Sequence, residues 1–122
     1  MATTLADQSL PGDALVHRWT LGDADTGEAK RIGAYADKSF AVWGTWDSAT
    51  VVIQGSWDNP DGTPADASFI TLSDSTNNAI SVTSDDIGVI SEDPVWIRPV
   101  SSGGLGSANL VLVISAPWRR NM

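Results

Sequence analysis

Residues 39–57 read SFAVWGTWDSATVVIQGSW. Two runs rich in β-branched and aromatic residues, Ser39 to Gly44 and Thr50 to Trp57, flank a short insert that contains Asp47-Ser48. Such runs read as strands, and so short an insert suits a hairpin connection. The strand signal continues on the N-terminal side. There Leu15, His17, Trp19 and Leu21 alternate with Val16, Arg18 and Thr20, a period of two. On the C-terminal side, Asp58 to Pro64 (DNPDGTP) is dense turn sequence, because proline fixes φ and glycine accepts positive φ. Phe69 to Leu72 and Ala79 to Thr83 follow as a second expected hairpin around Asp74 to Asn78.

Further along, Ser84 is placed to cap a short helical turn, with Asp85 and Asp86 at its positive dipole end and Ile87 and Ile90 directed to the core. Val95 to Val100 reads as a strand, in which Pro99 implies an edge position or an early end. Ser101 to Ser107 (SSGGLGS) is a flexible turn. Asn109 to Ser115 is a buried strand, with Leu110, Leu112 and Ile114 on one face and Val111 and Val113 on the other. About seven short strands, spaced by turns roughly every ten residues, predict an all-β, single-domain antiparallel β-sandwich of jelly-roll or Ig-like type with one short helical turn. The expected organisation is an N-terminal arm (1–13), the sandwich (14–116) and a C-terminal tail (117–122).

A chain of 122 residues is long enough for one domain with its own core. Its net charge of −8 argues against nucleic acid and against an anionic membrane surface, since both are bound mostly through Lys and Arg. With no cysteine, disulfides and thiolate metal sites are excluded. Met1 to Leu10 lacks the features of a signal peptide, and the longest apolar run, Leu110 to Ile114, is far too short to span a bilayer. Synthesis in a cytoplasm is expected, with release by a route such as lysis.

Catalytic chemistry finds little support. The single histidine, His17, has no nucleophile or orienting acid near it in sequence and reads as a structural imidazole. Asp23-Ala-Asp25-Thr-Gly27-Glu28 opens like a calcium loop, but its twelfth position is Ala34, so the ligand set fails and a solvated acidic turn is expected. Asp58 to Gly62 reads as a turn in the same way. The adjacent pairs Asp85-Asp86 and Glu92-Asp93 are explained by capping and turns rather than by glycoside hydrolysis. Gly103-Gly104-Leu105-Gly106 has neither the spacing nor the context of a phosphate loop. The expectation is no enzyme, no cofactor and no metal.

Six tryptophans against three other aromatics are the unusual feature. Trp19 and Trp96, on expected strands, read as core. Trp43, Trp46 and Trp57 flank expected loops, where indoles either anchor a protein interface or stack on sugars. Trp118, beside Arg119 and Arg120, reads either as a docking tail or as a frayed end. Pro117 is expected to end the last strand and direct the chain away from the sheet, so that removing 117–122 leaves the fold nearly intact.

The segments Asp37-Lys38-Ser39, Val51 to Asp58 (VVIQGSWD), Phe69 to Asp74 (FITLSD) and Ile90 to Pro99 (ISEDPVWIRP) resemble small structural proteins of tailed phages. In those proteins a strand ending in a Gly-Ser turn is followed by a second strand, a helical turn, an Ile-Arg-Pro strand, a Gly-rich turn and a final apolar strand. Gly103-Gly104 and Leu110 to Ile114 are similar to the last two elements. The resemblance covers roughly residues 35 to 115, and the chain departs from it by inserting Asn59-Pro60 before Asp61-Gly62. It implies a virion component: a capsid decoration or cement protein on the capsid surface that binds the major capsid protein. A homo-oligomer is expected too, most simply a trimer, because sandwich edges must be covered and capsid lattices offer three-fold sites. The alternative is a carbohydrate-binding module, or a receptor-binding part of a phage tail, that uses Trp43, Trp46 and Trp57.

Overall fold

A computed structural model describes residues 3–4, 8–10, 14–33, 35–62, 64–116 and 118–119, with backbone alone at 3–4, 8–10, 14, 36 and 118–119. In chain order the strands are β1 (Thr3–Thr4), β2 (Gln8–Leu10), β3 (Ala14–Leu21), β4 (Lys30–Arg31), β5 (Tyr35–Ala36), β6 (Ser39–Thr45), β7 (Ala49–Ser56), β8 (Ile70–Thr71), β9 (Ser81–Val82), β10 (Asp86–Val89), β11 (Trp96–Gly103), β12 (Asn109–Ala116) and β13 (Trp118–Arg119). Sheet A runs β1-β3-β12-β6-β10, with β2 also on β3. Sheet B runs β4-β11-β7-β8, with β9 also on β7, and β13 pairs separately with β5. The antiparallel all-β sandwich expected from the sequence is therefore the fold. Its strands outnumber the expected seven because pairings of two residues carry no readable period.

The core lies between the sheets. Trp19 and Leu21 of β3, Phe40 and Val42 of β6, and Leu110, Leu112 and Ile114 of β12 face Val51 and Ile53 of β7 and Ile97 of β11, all buried. Each such aliphatic side chain contributes roughly 2 kcal/mol by leaving water. The period of two read at 15–21 and 109–115 places these residues correctly.

Five local expectations are corrected. The turn at 46–49 forms, with Asp47 and Ser48 at φ 47° and 68° and the Ala49 N–H donating to the Trp46 carbonyl at 2.8 Å. It is not a hairpin, because β6 lies in sheet A and β7 in sheet B. Seven pairs with β12 on one flank and four with β10 on the other use both edges of β6 and leave none for β7. Gly44, at φ 135°, stands one residue before the end of β6, where any Cβ would lie 2.3 Å from the Asn109 carbonyl oxygen. The second expected hairpin does not pair its strands with each other: β8 and β9 both run antiparallel to β7, one after the other along the same edge, and only the turn between them closes on itself, with Ser73 bridging Ala79 and the Asp74 N–H donating to the Asn78 carbonyl at 2.8 Å.

The helical turn is not at Ser84. Residues 86–89 are strand β10, whose ladder with β6 satisfies its backbone on that side, and the 3-10 turn stands instead at Asp66–Ser68. Of the two isoleucines sent to the core, Ile90 is 3% exposed and Ile87 is 78% exposed. Alternation along a strand separates them where a helix would have aligned them only in part.

Pro99 sits in an interior strand, opposite Ile53 of β7. Its carbonyl accepts from the Gly27 N–H at 2.8 Å on the flank away from β7, beyond the end of β4. The nitrogen that cannot donate shares that flank, so the ladder loses nothing. At the other terminus, the backbone at Trp118–Arg119 pairs with Tyr35–Ala36 and so returns to the body of the protein. Pro117 and Arg120 lie outside the described residues.

Candidate functional site

The outward residues of sheet A form a grid. One row crosses the strands as Arg18, Val113, Ala41 and Ile87; a second as Val16, Ser115, Ser39 and Val89; a third as Thr20, Val111 and Trp43. The Ser39 and Ser115 hydroxyls lie 3.2 Å apart and hydrogen bond to each other, which lowers the polarity of that second row. Because β6 offers only Ser39 and Ala41 here, a trough of about 470 Å³ runs along it between Ile87 and Val89 on one side and Val113 on the other. Trp43, 41% exposed, stands at the end of that row of β6. Four strands at ~4.8 Å spacing and three rows at ~6.7 Å give about 400 Å² of mostly apolar surface.

The outward face of sheet B differs. Its central side chain is Arg98, which lies over the Phe69 ring at 3.8 Å. Its guanidinium donates to Gln54 Oε1 at 3.0 Å and to Asp66 Oδ1 at 2.9 Å. Arg31 covers the ring of Trp96 at 5.3 Å, and the Trp96 indole N–H donates to the Asn59 carbonyl at 3.3 Å. Trp96 is therefore half-buried on this outer face, not in the core as expected. Trp19 is core, fully buried, with its N–H on the Glu28 carbonyl at 2.8 Å.

The three loop tryptophans are not brought together. Trp43 projects from sheet A. Trp46 packs against the core and donates to Asp85 Oδ1 at 2.8 Å. Trp57, 49% exposed, lies past the far end of β7, about 25 Å along the strand from the turn that holds Trp46. For Trp118 and Arg119 the backbone alone is described, and Arg120 lies outside the described residues.

The acidic residues serve the connections between sheets. Asp85 accepts from the Gly44 N–H at 3.2 Å as well as from Trp46, and so braces the turn leaving β6 instead of capping a helix. Asp47 accepts from the Leu105 and Ser107 N–H groups at 3.1 and 2.8 Å, and Asp23 from that of Ala108 at 3.1 Å. Asp25 is 6% exposed, not solvated as expected. Its carboxylate takes the Gly22 N–H at 2.6 Å and its N–H donates to Ser101 Oγ at 2.8 Å. His17 is buried beside Trp19, its Nε2 3.2 Å from the Arg31 carbonyl oxygen. Among the described residues, no three His, Cys, Asp or Glu converge as a metal site would require.

One group escaped the sequence reading altogether. The Lys38 side chain is fully buried, ion-paired with Asp93 and 3.4 Å from the Tyr35 carbonyl oxygen. Its signal was a lone cation at the head of an apolar strand; its partner belongs to the Glu92-Asp93 pair, far along the chain, that was read as capping and turn formation. Glu92 itself accepts from the Ser73 N–H at 2.8 Å and ties the turn between β8 and β9 to the start of the Pro94 segment.

The fold and its surfaces define a small two-sheet β-protein with one finished and one unfinished exterior. Comparison with family models, with curated proteins and with solved structures gives no match.

Proposed function

We propose that the protein is a non-enzymatic structural component of a tailed-phage virion, a capsid decoration or cement protein that binds the major capsid protein lattice and stabilises the head. The observation that carries this reading is the apolar outer face of sheet A. A patch of about 400 Å² is half of the ~800 Å² that each partner gives to a stable binary complex. It suits a surface engaged many times over on a repeating lattice, where effective concentration compensates for weak single contacts. Binding to the assembled shell alone stabilises that shell by mass action. The basic element Trp118, Arg119 and Arg120, on a chain of net charge −8, supplies a second contact with an acidic neighbour.

The carbohydrate alternative needs co-facing rings, and the positions of Trp43, Trp46 and Trp57 do not supply them. The test is twofold. Mass spectrometry of purified virions should find the chain at a stoichiometry matched to the major capsid protein. Val113→Glu should lower binding to undecorated heads at least about tenfold, as expected for a charge at the centre of an interface, while the melting temperature stays near that of the wild type. Absence from virions, or unchanged binding by Val113→Glu, overturns the reading.

A further inference from the structure

The trough of sheet A does not end at Ala41. Past Ala41 and Ile87 it opens into a second hollow of about 400 Å³, lined also by Trp43, Asp85 and Asp86. Asp85 is fixed there by the Gly44 N–H at 3.2 Å and the Trp46 indole N–H at 2.8 Å, and Asp86 Oδ1 accepts from the Ile87 N–H at 2.8 Å. An exposed indole ring and two carboxylates therefore share one end of an otherwise apolar channel. Among the described residues, no lysine or arginine covers the Trp43 ring or pairs with either carboxylate. Arg18, on the same outer face, stands on β3, two strands away from β6.

Sheet B shows how the chain completes the same grouping. There Arg98 stacks on Phe69 at 3.8 Å and donates to Asp66, so that an aromatic ring, a carboxylate and a guanidinium occur together. On sheet A the ring and the carboxylates are in place without a guanidinium among the described residues. We infer that the trough takes an extended segment of the partner protein, with two apolar side chains along β6 and an arginine over Trp43, beside Asp85 and Asp86. A guanidinium suits this end because it stacks on an indole face and forks onto a carboxylate, which an ammonium does less well. The assignment rests on the proposal that the outer face of sheet A meets a protein partner, and it adds what that partner must present.

The spacing selects an extended chain. Outward side chains at Ser39, Ala41 and Trp43 recur every ~6.7 Å, which is the repeat of alternate residues in any extended segment. The recognised order, read toward Trp43, is therefore apolar, any, apolar, any, arginine. β10 and β12 flank β6 at ~4.8 Å each, which leaves under ~10 Å between the backbones that carry Ile87 and Val113. That width admits a single row of side chains but not an α-helix of ~10–12 Å diameter, which would rest on the rims. The net charge of −8 adds a longer-range attraction for a basic segment, so binding weakens as salt rises.

Two blocked peptides, Ser-Val-Ser-Val-Ser-Arg-Ser and its reversed sequence, test this on the nitrogen-15-labelled protein. At least one of them should shift the Trp43 indole and the Ala41, Ile87 and Val113 amide signals in NMR titrations. Replacing the peptide arginine by glutamate should weaken binding at least about fivefold. Trp43→Leu, which keeps an apolar side chain but removes the ring, should weaken the arginine peptide about threefold. Asp86→Lys should narrow the preference for arginine over glutamate at least about threefold, with a melting temperature near that of the wild type. Equal binding of the arginine and glutamate peptides, or a preference unchanged in Asp86→Lys, overturns the assignment. So does tighter binding of a helical peptide with the same apolar and basic residues. Shifts of the same signals with protein concentration alone would give the trough to a second copy and overturn it too. If neither peptide binds while Val113→Glu still abolishes head binding, the capsid proposal stands and the extended arginine segment falls. If a peptide binds as expected and the chain is absent from virions, the capsid proposal falls and the trough remains a site for such a segment.

Discussion

The two sheets have similar inner faces and opposite outer ones. Sheet B is finished by its own chain: the segment that carries the Asp66–Ser68 turn folds back over it, and Arg98 is held between Phe69, Gln54 and Asp66. Nothing among the described residues covers the outer face of sheet A, whose rows are mostly Val, Ala and Ile, with Trp43 at one end. The difference supports the proposal that the outer face of sheet A is the one that meets a partner, because an exposed apolar face gains by burial as the core does.

The largest expected effect separates inside from outside on a single strand. Leu112 is fully buried, and Leu112→Ala should cost about 2–5 kcal/mol, through lost burial and the cavity left behind. Val113, the next residue, faces outward, and Val113→Ala should cost less than about 1 kcal/mol while weakening attachment to heads. Urea denaturation of the two variants checks this, and similar midpoints would mean that sheet A has no distinct outer face.

On sheet B the outer residues should matter for stability instead. Arg98→Ala removes the stack on Phe69 and leaves Gln54 and Asp66 without their donor, at about 1–2 kcal/mol. Asp66 is 93% exposed, so Asp66→Asn should cost under about 0.5 kcal/mol. The stack and the Gln54 bond, more than the ion pair, hold Arg98. Neither variant should change head binding. If Arg98→Ala instead detaches the protein without destabilising it, the functional face is the other one.

The smallest effect lies in the turn between β8 and β9, at the border of sheet B. Asp74 Oδ1 accepts from the Thr76 hydroxyl at 2.7 Å and from the Asn78 and Thr76 N–H groups at 3.1 and 2.9 Å. The Thr76 hydroxyl first, and then those two N–H groups, hold its carboxyl below the usual range. A depressed carboxylate adds stability that is fully present above the unfolded value near pH ~3.9 and is lost as pH falls through the folded value. Stability measured from pH 5 down to 2 should therefore fall more steeply in the wild type than in Asp74→Asn. Parallel curves would show that the turn does not depend on this charge.

Much of this was legible in the residues. Alternation at 15–21 and 109–115 marked strands and their inward faces, and the DNPDGTP and DSTNN stretches marked turns. The candidate face was legible only in part. Val111 and Val113 were read as the second face of a strand, and Trp43 was singled out, but the rows joining them to Ala41, Ile87 and Val89 were not. Those neighbours come from β6 and β10, and no local pattern states which strands lie side by side.

By itself the sequence determined the class: an acidic, cysteine-free, all-β domain whose period-two runs choose the core residues, because burial of a pleated strand depends only on local alternation. The tertiary structure alone decided the pairing. A two-residue turn at Asp47-Ser48 reverses the chain but does not choose a ladder. β12, which arrives much later, takes the flank of β6 that β7 would have needed. The same competition placed Ile87 on the outer face and buried Lys38 against Asp93. Each outcome depends on backbone and charge partners distant in sequence, which local pattern does not encode.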